Sequence, residues 1–376
     1  MTKKVLFVFG TRPEAIKMAP VIEEAKNSNG KLEAIVCVTG QHRYLLDQAL
    51  AEFGIKPDID LDLMKPEQTL YDITSVVMRA MSGVYRKVRP DVMLVQGDTS
   101  TVFSASLSAY YENINIGHVE AGLRSGDNNN PFPEEVNRRF VSLVSMYNFC
   151  PTSCAKNNLL KEGVSPKNIF VTGNTIIDSL CEILKIVREK EPVISGVSSE
   201  FYKREYVFIT GHRRESFGTG MKNVCTAINA LAVKHPDVNW LWAVHLNPNV
   251  RKVVFDMLSS TRNIKLIEPL PYRQSVYLMD KCKFIISDSG GIQEEAPYLN
   301  KRVLVTRICT ERPEALRAGT SILVGTDSRK IINYADKLLK NKSQGNKRNT
   351  CIFGDGMASK RIVDVITKGA CREFGK

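Results

Sequence analysis

Two short apolar runs, each followed by a glycine and a basic residue, constrain the fold of this chain more than any other feature. Residues 5–9 (VLFVF) precede the turn GTR, and residues 206–209 (YVFI) precede the turn GHR. An unbroken apolar run of this length is typical of a parallel strand that is covered on both faces. The two halves therefore begin alike, and the sequence predicts two copies of one architecture.

Strand-like and helix-like segments alternate through both halves. The further apolar segments lie at 34–38, 92–95, 114–118, 240–244, 264–266, 284–286 and 303–305. The segments with helical spacing lie at 13–25, 44–53, 70–88, 101–111, 224–234 and 358–368. This alternation predicts an α/β fold with two Rossmann-like, doubly wound domains facing a cleft.

A chain of 376 residues is longer than the chains that usually fold around a single hydrophobic core, so we expect two domains. The predicted domains span 1–170 and 171–357, followed by a C-terminal helical segment at 358–376. The join is expected within 171–200, and 341–350 is expected to form an exposed loop.

Composition excludes several classes of protein. Hydrophobic residues make up 43% and charged residues 24%, and no window approaches the roughly 18 unbroken apolar residues of a membrane span. The first apolar run is too short for a signal peptide, which predicts a cytoplasmic location. Nine cysteines without zinc-ligand spacing argue against a disulfide framework and a metal site. The net charge of +12 is spread along the chain, so anionic small molecules are expected as partners rather than nucleic acid.

The first strand-to-helix turn carries residues suited to phosphate. Gly10 permits close approach of the backbone, and Arg12 and Lys17 can offer positive charge to phosphate oxygens. The turn lacks the GxGxxG pattern of dinucleotide-binding proteins, so no NAD is inferred. A surface arginine beside a turn is the alternative interpretation.

The segment 284–295 (FIISDSGGIQEE) is a stronger candidate for binding an anion. A predicted strand leads into Ser289, Gly290 and Gly291 at a helix start, where free N–H groups point outward. Glu295 lies one turn further, where its carboxylate could accept hydrogen bonds from ribose hydroxyls. A simple capping turn is the alternative, but the paired glycines with nearby acids favour a nucleotide diphosphate.

Two further strand ends in the second half carry basic residues. Arg312 follows the strand-like segment at 303–305, and His212 follows the strand-like segment at 206–209. A lone histidine is usually structural, but His212 is followed directly by Arg213 and a further arginine. This grouping favours a role in holding a leaving pyrophosphate.

Carboxylates occupy the strand ends of the first half. Asp98 follows the segment at 92–95, Glu120 follows the next strand-like segment, and Glu134 and Glu135 open a predicted helix. Asp98 could instead cap a helix, and the two glutamates could simply interact favourably with the positive end of the helix dipole. Carboxylates from neighbouring elements nevertheless indicate acid/base catalysis on a group that is attached to a diphosphate.

With these residues assembled, the chain resembles the non-hydrolysing UDP-N-acetylglucosamine 2-epimerases nearly from end to end. The motifs that carry the resemblance are GTRPEAIKMAP (10–20), GQHR (40–43), QGDTSTVF (96–103), GHVEAGLR (117–124), PFPEEVNRR (131–139), VTGNTIID (171–178), GHRRE (211–215), VHLNP (244–248), SDSGGIQEEAP (287–297), TERPEA (310–315) and FGDGMASKRIV (353–363). Their number and order make the resemblance specific.

The resemblance implies a glycosyltransferase-B type fold whose C-terminal helix crosses back to the first domain. It implies a homodimer that interconverts UDP-GlcNAc and UDP-ManNAc without NAD or metal. UDP would leave by elimination to give 2-acetamidoglucal and then add back. The ManNAc unit would feed cell-surface polysaccharide synthesis.

The resemblance also implies roles for individual residues. Acid/base duties fall to Asp98, Glu120 and Glu134, with neither sugar face assigned, and His212 stabilises the departing diphosphate. The residues expected to hold the UDP-sugar are Arg12, Lys17, Asp98, Glu120, His212, Arg213, Leu270, Ser275, Ser289, Gly290, Gly291, Glu295 and Arg312. Leu270 and Ser275 match uracil-contacting positions, although Ser275 replaces a usual aromatic residue.

The chain departs from the family pattern at a second UDP-GlcNAc site that activates many bacterial members. Gln41 and His245 match that site, as do Glu134, His212 and Arg213. Tyr44 and Glu67, however, replace a usual glutamine and a usual arginine. Because a glutamate repels a diphosphate, we expect weak or absent activation.

Residues 307–309 (RIC) also replace a more usual Arg-Asp-Thr, which leaves the exact sugar open. A hydrolysing 2-epimerase, an inverting glycosyltransferase of the same fold and a non-catalytic nucleotide-sugar sensor are the alternative functions.

Overall fold

The computed structural model describes residues 2–40, 43–65, 67–211, 213, 217–340 and 351–375. Three predicted features, namely Gln41, His212 and the loop at 341–350, lie outside these residues. Contacts between Cα atoms divide the chain into two compact units. The first unit contains Met1–Cys181 with Phe353–Lys376, and the second contains Glu182–Ile352.

A seven-stranded sheet forms the centre of the first unit, and all of its pairings are parallel. Its strands are β1 (Lys3–Phe9), β2 (Leu32–Val38), β3 (Ile59–Asp60), β4 (Val92–Gln96), β5 (Asn115–Val119), β6 (Tyr147–Cys150) and β7 (Ile169–Val171). They lie in the order β3-β2-β1-β4-β5-β6-β7. The strand order reverses between β1 and β4, which is where doubly wound sheets form ligand sites.

A six-stranded parallel sheet forms the centre of the second unit. Its strands are β8 (Tyr206–Gly211), β9 (Asn239–Val244), β10 (Ile264–Ile267), β11 (Ile285–Ser287), β12 (Val303–Val305) and β13 (Ser321–Leu323). They lie in the order β10-β9-β8-β11-β12-β13, with the reversal between β8 and β11.

Helices connect the strands in both units. In chain order they are α1 (Arg12–Lys26), α2 (Arg43–Glu52), α3 (Leu70–Val88), α4 (Ser100–Tyr111), α5 (Glu134–Val144), α6 (Ser153–Lys161), α7 (Thr175–Glu189), α8 (Ser199–Lys203), α9 (Thr219–Lys234), α10 (Pro248–Leu258), α11 (Tyr272–Lys281), α12 (Gly290–Tyr298), α13 (Pro313–Arg317), α14 (Ser328–Lys340) and α15 (Ala358–Lys368). No helix in the described part of the chain combines the length and apolar character that a membrane crossing requires.

The last helix belongs to the first unit, although it follows the second unit along the chain. Helix α15 packs against α1. At its start, the Asp178 carboxylate accepts hydrogen bonds from Ala358 N at 3.2 Å and Ser359 N at 2.8 Å. Near its end, Lys3 Nζ donates to Ile366 O at 2.8 Å. These contacts hold the C-terminal segment onto β1, α1 and the start of α7.

The two parallel sheets confirm the predicted α/β, doubly wound fold. The run at 5–9 is fully buried inside β1, as a strand covered on both faces should be. Strands β3, β6, β7 and β13, which have two to four residues each, are not among the strands predicted from the sequence. The unit boundary after Cys181 falls inside α7, whereas the predicted limit lies at 170/171.

Candidate active site

Asp98 lies in the turn that joins β4 to α4. The preceding Gly97 has a φ of 81°, a left-handed conformation that suits glycine. Thr99 is the N-cap of α4, because its side chain accepts a hydrogen bond from Val102 N at 3.3 Å. The capping interpretation of Asp98 is therefore wrong, and its carboxylate pairs instead with Arg138 of α5.

Glu120 directly follows β5, and only 4% of its surface is exposed. Its φ of 67° puts a non-glycine residue in the left-handed region, a conformation that costs free energy and often marks a functional position. Its Oε2 atom accepts hydrogen bonds from Lys17 Nζ and from Asn174 Nδ2, the latter at 3.0 Å. The strand end therefore delivers this carboxylate into a buried group of donors.

Arg138 joins the two carboxylates, and the sequence did not single it out. Its Nη2 atom pairs with Asp98 Oδ2, and its Nη1 atom donates to the backbone oxygen of Glu120 at 2.7 Å. Both nitrogens also lie 3.4 Å from Glu120 Oε1. One signal could have found it, since Arg138 follows Glu134 by one helical turn and shares its face.

Helix α5 presents three polar residues on that face. Glu134 lies in the first turn and is half-buried. Asn137 Nδ2 donates to the backbone oxygen of Asp98 at 2.9 Å, and Arg138 comes next. The spacing of three or four residues therefore brings an acid, an amide and a cation towards the Asp98 turn.

Glu135 has a structural role that differs from that of its neighbour. Its carboxylate accepts hydrogen bonds from Ser125 N at 3.0 Å and from Gly126 N at 3.4 Å. Arg139 donates to Asn128 Oδ1 at 2.9 Å. Helix α5 thus holds residues 125–128 of the preceding segment from its own first turns.

His118, inside β5, supports the turn that contains Asp98. Its Nε2 atom lies 2.8 Å from Gly97 O, so this nitrogen carries the proton, and Nδ1 faces Ser142 Oγ at 3.1 Å. Burial and the charge of Arg138 lower the pKa of His118 to about 3. This histidine is therefore neutral near pH 7 and braces the turn.

Glu14 braces the turn that precedes α1, where Arg12 is the first residue. Its carboxylate accepts hydrogen bonds from Gly10 N at 3.0 Å, Thr11 N at 2.7 Å and Thr99 Oγ1 at 2.8 Å. Burial raises the pKa of Glu14 despite these hydrogen bonds. The glutamate thereby ties the Arg12 turn to the start of α4.

In the second unit, Arg312 lies against the start of α12. A Cβ atom on Gly290 would lie 2.6 Å from Arg312 Cζ, so only glycine leaves room for the guanidinium there. Glu294 and Glu311 each fix that guanidinium through a contact of 2.8 Å. Free N–H groups and a held positive charge therefore occur at one helix end, an arrangement that suits a phosphate.

Glu311 belongs to a second buried pair, with Arg307 at 2.9 Å. Burial alone would raise the pKa of Glu311, but the charges of Arg312 and Arg307 lower it to about 2. Glu311 therefore remains ionised and anchors both arginines. Of the unusual residues at 308–309, Ile308 has 77% of its surface exposed.

Glu295 has a partner that the sequence did not suggest. Tyr272 Oη donates to Glu295 Oε1 at 2.6 Å, across the gap between α11 and α12. In the turn before α12, Arg213 N donates to Asp288 Oδ2 at 2.8 Å. The two contacts tie α12 to α11 and the turn before α12 to the end of β8.

The remaining residues singled out from the sequence differ in their exposure and in their local contacts. Leu270 has 3% of its surface exposed, and Ser275 Oγ donates to Pro271 O at 3.1 Å. His245 Nδ1 accepts a hydrogen bond from Asn247 N at 3.2 Å. Tyr44 has 71% of its surface exposed, and Glu67 is exposed with a φ of 62°.

The first unit thus brings Lys17, Asp98 and Glu120 into one network and adds Arg138 and Asn174. The second unit brings Arg312 to the glycine turn at 289–291. Within the described ranges, no group of three or more His, Cys, Asp and Glu side chains is placed to hold a metal ion.

Comparison with known proteins identifies the family. The model of the UDP-N-acetylglucosamine 2-epimerase family matches residues 24–367. The UDP-N-acetylglucosamine 2-epimerase of Escherichia coli K12 is 46% identical over 369 residues, which cover 96% of this chain and 98% of that protein.

Solved structures agree with the sequence comparison. The UDP-GlcNAc 2-epimerase of Neisseria meningitidis, solved with UDP-GlcNAc bound, is 46% identical with a TM-score of 0.91, covering 97% of this chain and 100% of that one. A glycotransferase of kitacinnamycin, 10% identical with a TM-score of 0.65 over 99% and 100% of the two chains, shares the fold alone. The predicted glycosyltransferase-B type fold is thereby confirmed. By sequence and by fold, this chain belongs to the UDP-N-acetylglucosamine 2-epimerase family.

Proposed function

We propose that this protein interconverts UDP-GlcNAc and UDP-ManNAc by inverting the configuration at C2 of the sugar. Relatives that match nearly the whole chain carry this activity in their names, and one of them is solved with UDP-GlcNAc bound. The substrate and the product are stereoisomers, so the reaction involves no net change of oxidation state.

The observation that carries the proposal is the pair of carboxylates at the ends of neighbouring strands, the partly exposed Asp98 and the buried Glu120. Lys17 and Arg138 contact them directly, so two negative and two positive charges are matched. Such a network can hold carboxylates beside a sugar without leaving a charge uncompensated.

The chemistry explains why carboxylates and a diphosphate site belong together. The C2 hydrogen has no adjacent carbonyl, so its direct removal as a proton is poorly driven. Loss of UDP supplies the drive: a carboxylate takes the C2 proton, the C1–C2 double bond forms, and UDP leaves with the C1–O electron pair. In the return step, UDP oxygen bonds to C1 and a proton reaches C2 on its other face.

The proposed roles of the residues divide between proton transfer at C2 and binding of UDP. Asp98, Glu120 and Glu134 would exchange protons with C2, and His212 would stabilise the departing diphosphate. Ser289, Gly290, Gly291, Glu295 and Arg312 would hold UDP, with Arg12, Lys17 and Arg213 adding charge and Leu270 and Ser275 meeting the uracil. The held guanidinium of Arg312 and the positive end of α12 support this division.

We also propose that the protein is a homodimer that supplies ManNAc units for cell-surface polysaccharide. An open groove of about 740 Å³ lies along α4 and α5 in the first unit, and its apolar lining includes Tyr111 and Leu143, which are 66% and 72% exposed. Exposed apolar patches often mark interaction sites. Leu143→Glu should halve the mass measured by light scattering, and a dimeric variant would contradict this placement of the interface.

Proton NMR of UDP-GlcNAc with the protein in D2O tests the activity. We expect UDP-ManNAc to appear and deuterium to enter C2 of the sugar, because the removed proton is replaced from solvent. Release of free ManNAc and UDP would identify a hydrolysing enzyme. An unchanged spectrum would overturn the proposal and favour a transferase or a nucleotide-sugar sensor.

A further inference from the structure

Building on the proposed function, we propose that Arg138 is a positioning residue that fixes Asp98 and Glu120 relative to each other for proton transfer at C2. Arg138 was not singled out by its sequence pattern, and its role follows from the atoms that it contacts.

The contacts of Arg138 are divided between two strand ends. One terminal nitrogen, Nη2, pairs with Asp98 after β4, while Nη1 donates to the backbone oxygen of Glu120 after β5 at 2.7 Å. Each arm of the guanidinium therefore holds a different turn. A lysine at this position would offer one point charge and could not span both turns in the same way.

The backbone contact of Arg138 is as informative as its ion pairs. Glu120 has a φ of 67°, which persists only where the surroundings fix it. Arg138 holds the carbonyl oxygen of this residue, and Lys17 and Asn174 hold the side-chain oxygen Oε2. Both the direction of the chain and the direction of the carboxylate are thus specified.

Burial and charge make Arg138 hard to replace. Arg138 is 5% exposed and Glu120 4% exposed, so water cannot readily substitute for the guanidinium. Without it, Asp98 would lose its ion pair with Arg138, while Glu120 would keep its contact with Lys17. Repulsion would then separate two carboxylates that must serve one carbon atom.

Arg139 provides a matched control on the same helix. Its side chain is 46% exposed, and it pairs with Glu162 at 3.1 Å and with Asn128 at 2.9 Å. It touches neither carboxylate in the contacts of the described residues.

Steady-state kinetics of Arg138→Ala should show a loss of kcat of about 10²-fold, the order expected when reacting groups are misplaced. The dissociation constant for UDP, measured by calorimetry, should stay within about threefold, since UDP binding is assigned to other residues. Guanidinium chloride, at concentrations too low to unfold the protein, should raise the kcat of Arg138→Ala at least about tenfold. The free guanidinium ion would occupy the space left by the missing side chain. Arg139→Ala should change kcat less than about twofold, because Arg139 forms an exposed ion pair, and such pairs contribute little free energy.

Arg138→Lys decides the matter if the alanine variant does not fold, because it retains the charge and loses the two-armed geometry. A lysine variant with wild-type kcat would overturn the proposal. Parallel losses of kcat and UDP affinity in the alanine variant, without rescue by guanidinium, would overturn it too and indicate a purely structural role. If the wild-type protein itself exchanges no deuterium at C2, the proposed function fails rather than the role of Arg138.

Discussion

The turn after β5 in the first unit and the turn after β11 in the second unit both lie at the carboxyl end of a strand in a parallel sheet, yet they present different groups. The first presents Glu120, whose carboxylate is surrounded by the side chains of Lys17, Asn174 and Arg138. The second presents glycines, whose backbone N–H groups begin α12 beside Arg312.

This difference shows how one architecture supports two tasks. Backbone N–H groups are fixed donors that cannot exchange a proton during a reaction, so they suit a group that must only be held. Carboxylates can gain and lose a proton, so they suit a carbon whose proton must move. We therefore expect substitutions at the Glu120 turn to change kcat and substitutions at the glycine turn to change nucleotide affinity.

The largest effect is expected from Glu120→Gln. The amide keeps the shape of the side chain and cannot accept the C2 proton, so kcat should fall about 10³-fold or more. UDP affinity, measured by calorimetry, should be nearly unchanged. Glu33→Gln, at an exposed position of β2, is the control. Retained turnover in Glu120→Gln would remove the acid/base role of Glu120.

A second prediction separates the two units by their response to acid. The pKa of His118 is about 3 in the folded protein, against an ordinary value of 6.5 in the unfolded chain. Below pH 6.5 the unfolded chain therefore binds a proton that the folded protein does not. Stability of the first unit should therefore fall as pH drops from 6.5 towards 3, by about 2 kcal/mol at pH 5. Glu311, with a folded pKa of about 2 against 4.5, contributes stability above pH 4.5 that is lost only between pH 4.5 and 2.

Thermal unfolding at pH 7 and pH 5 checks this difference. Both tryptophans lie in β9, so their fluorescence follows the second unit, while circular dichroism follows both units. His118→Gln should remove much of the loss between pH 7 and 5, and His235→Gln should not. An equal loss in wild type and His118→Gln would contradict the assignment.

A third, smaller effect is expected at the glycine turn. In Gly290→Ala the new Cβ would displace the Arg312 guanidinium from Glu294 and Glu311, which should weaken UDP binding about tenfold. In Gly291→Ala the new Cβ meets only ordinary contacts within the protein, the nearest at 3.7 Å, so Arg312 should stay in place and affinity should fall less than in Gly290→Ala. Equal affinities in the two variants, measured by calorimetry, would show that Arg312 does not hold the nucleotide.

The smallest effect concerns activation by a second UDP-GlcNAc. Because Tyr44 and Glu67 replace the residues that the family pattern favours, added UDP-GlcNAc should scarcely change the initial rate from pure UDP-ManNAc. Progress curves followed by NMR test this. A lag that a trace of UDP-GlcNAc abolishes would show that the second site works despite these replacements.

Local sequence determined much of the fold, because many of its strands are short apolar runs and several of its helices have a clear period. The runs at 5–9 and 206–209 lie in β1 and β8, and the spacing at 70–88 coincides with α3. The same local patterns placed Asp98, Glu120 and the turn at 289–291 at strand ends, since a strand end is visible where an apolar run stops.

Contacts between distant residues were decided only by the tertiary structure. Arg138 and Arg139 are adjacent and chemically alike in sequence, yet one bridges Asp98 and Glu120 while the other faces Glu162. Lys17, which its sequence context linked to phosphate, pairs with Glu120. Sequence thus determined which residues carry charge and where strands end, but the partner of each charge depends on packing that joins residues far apart in the chain.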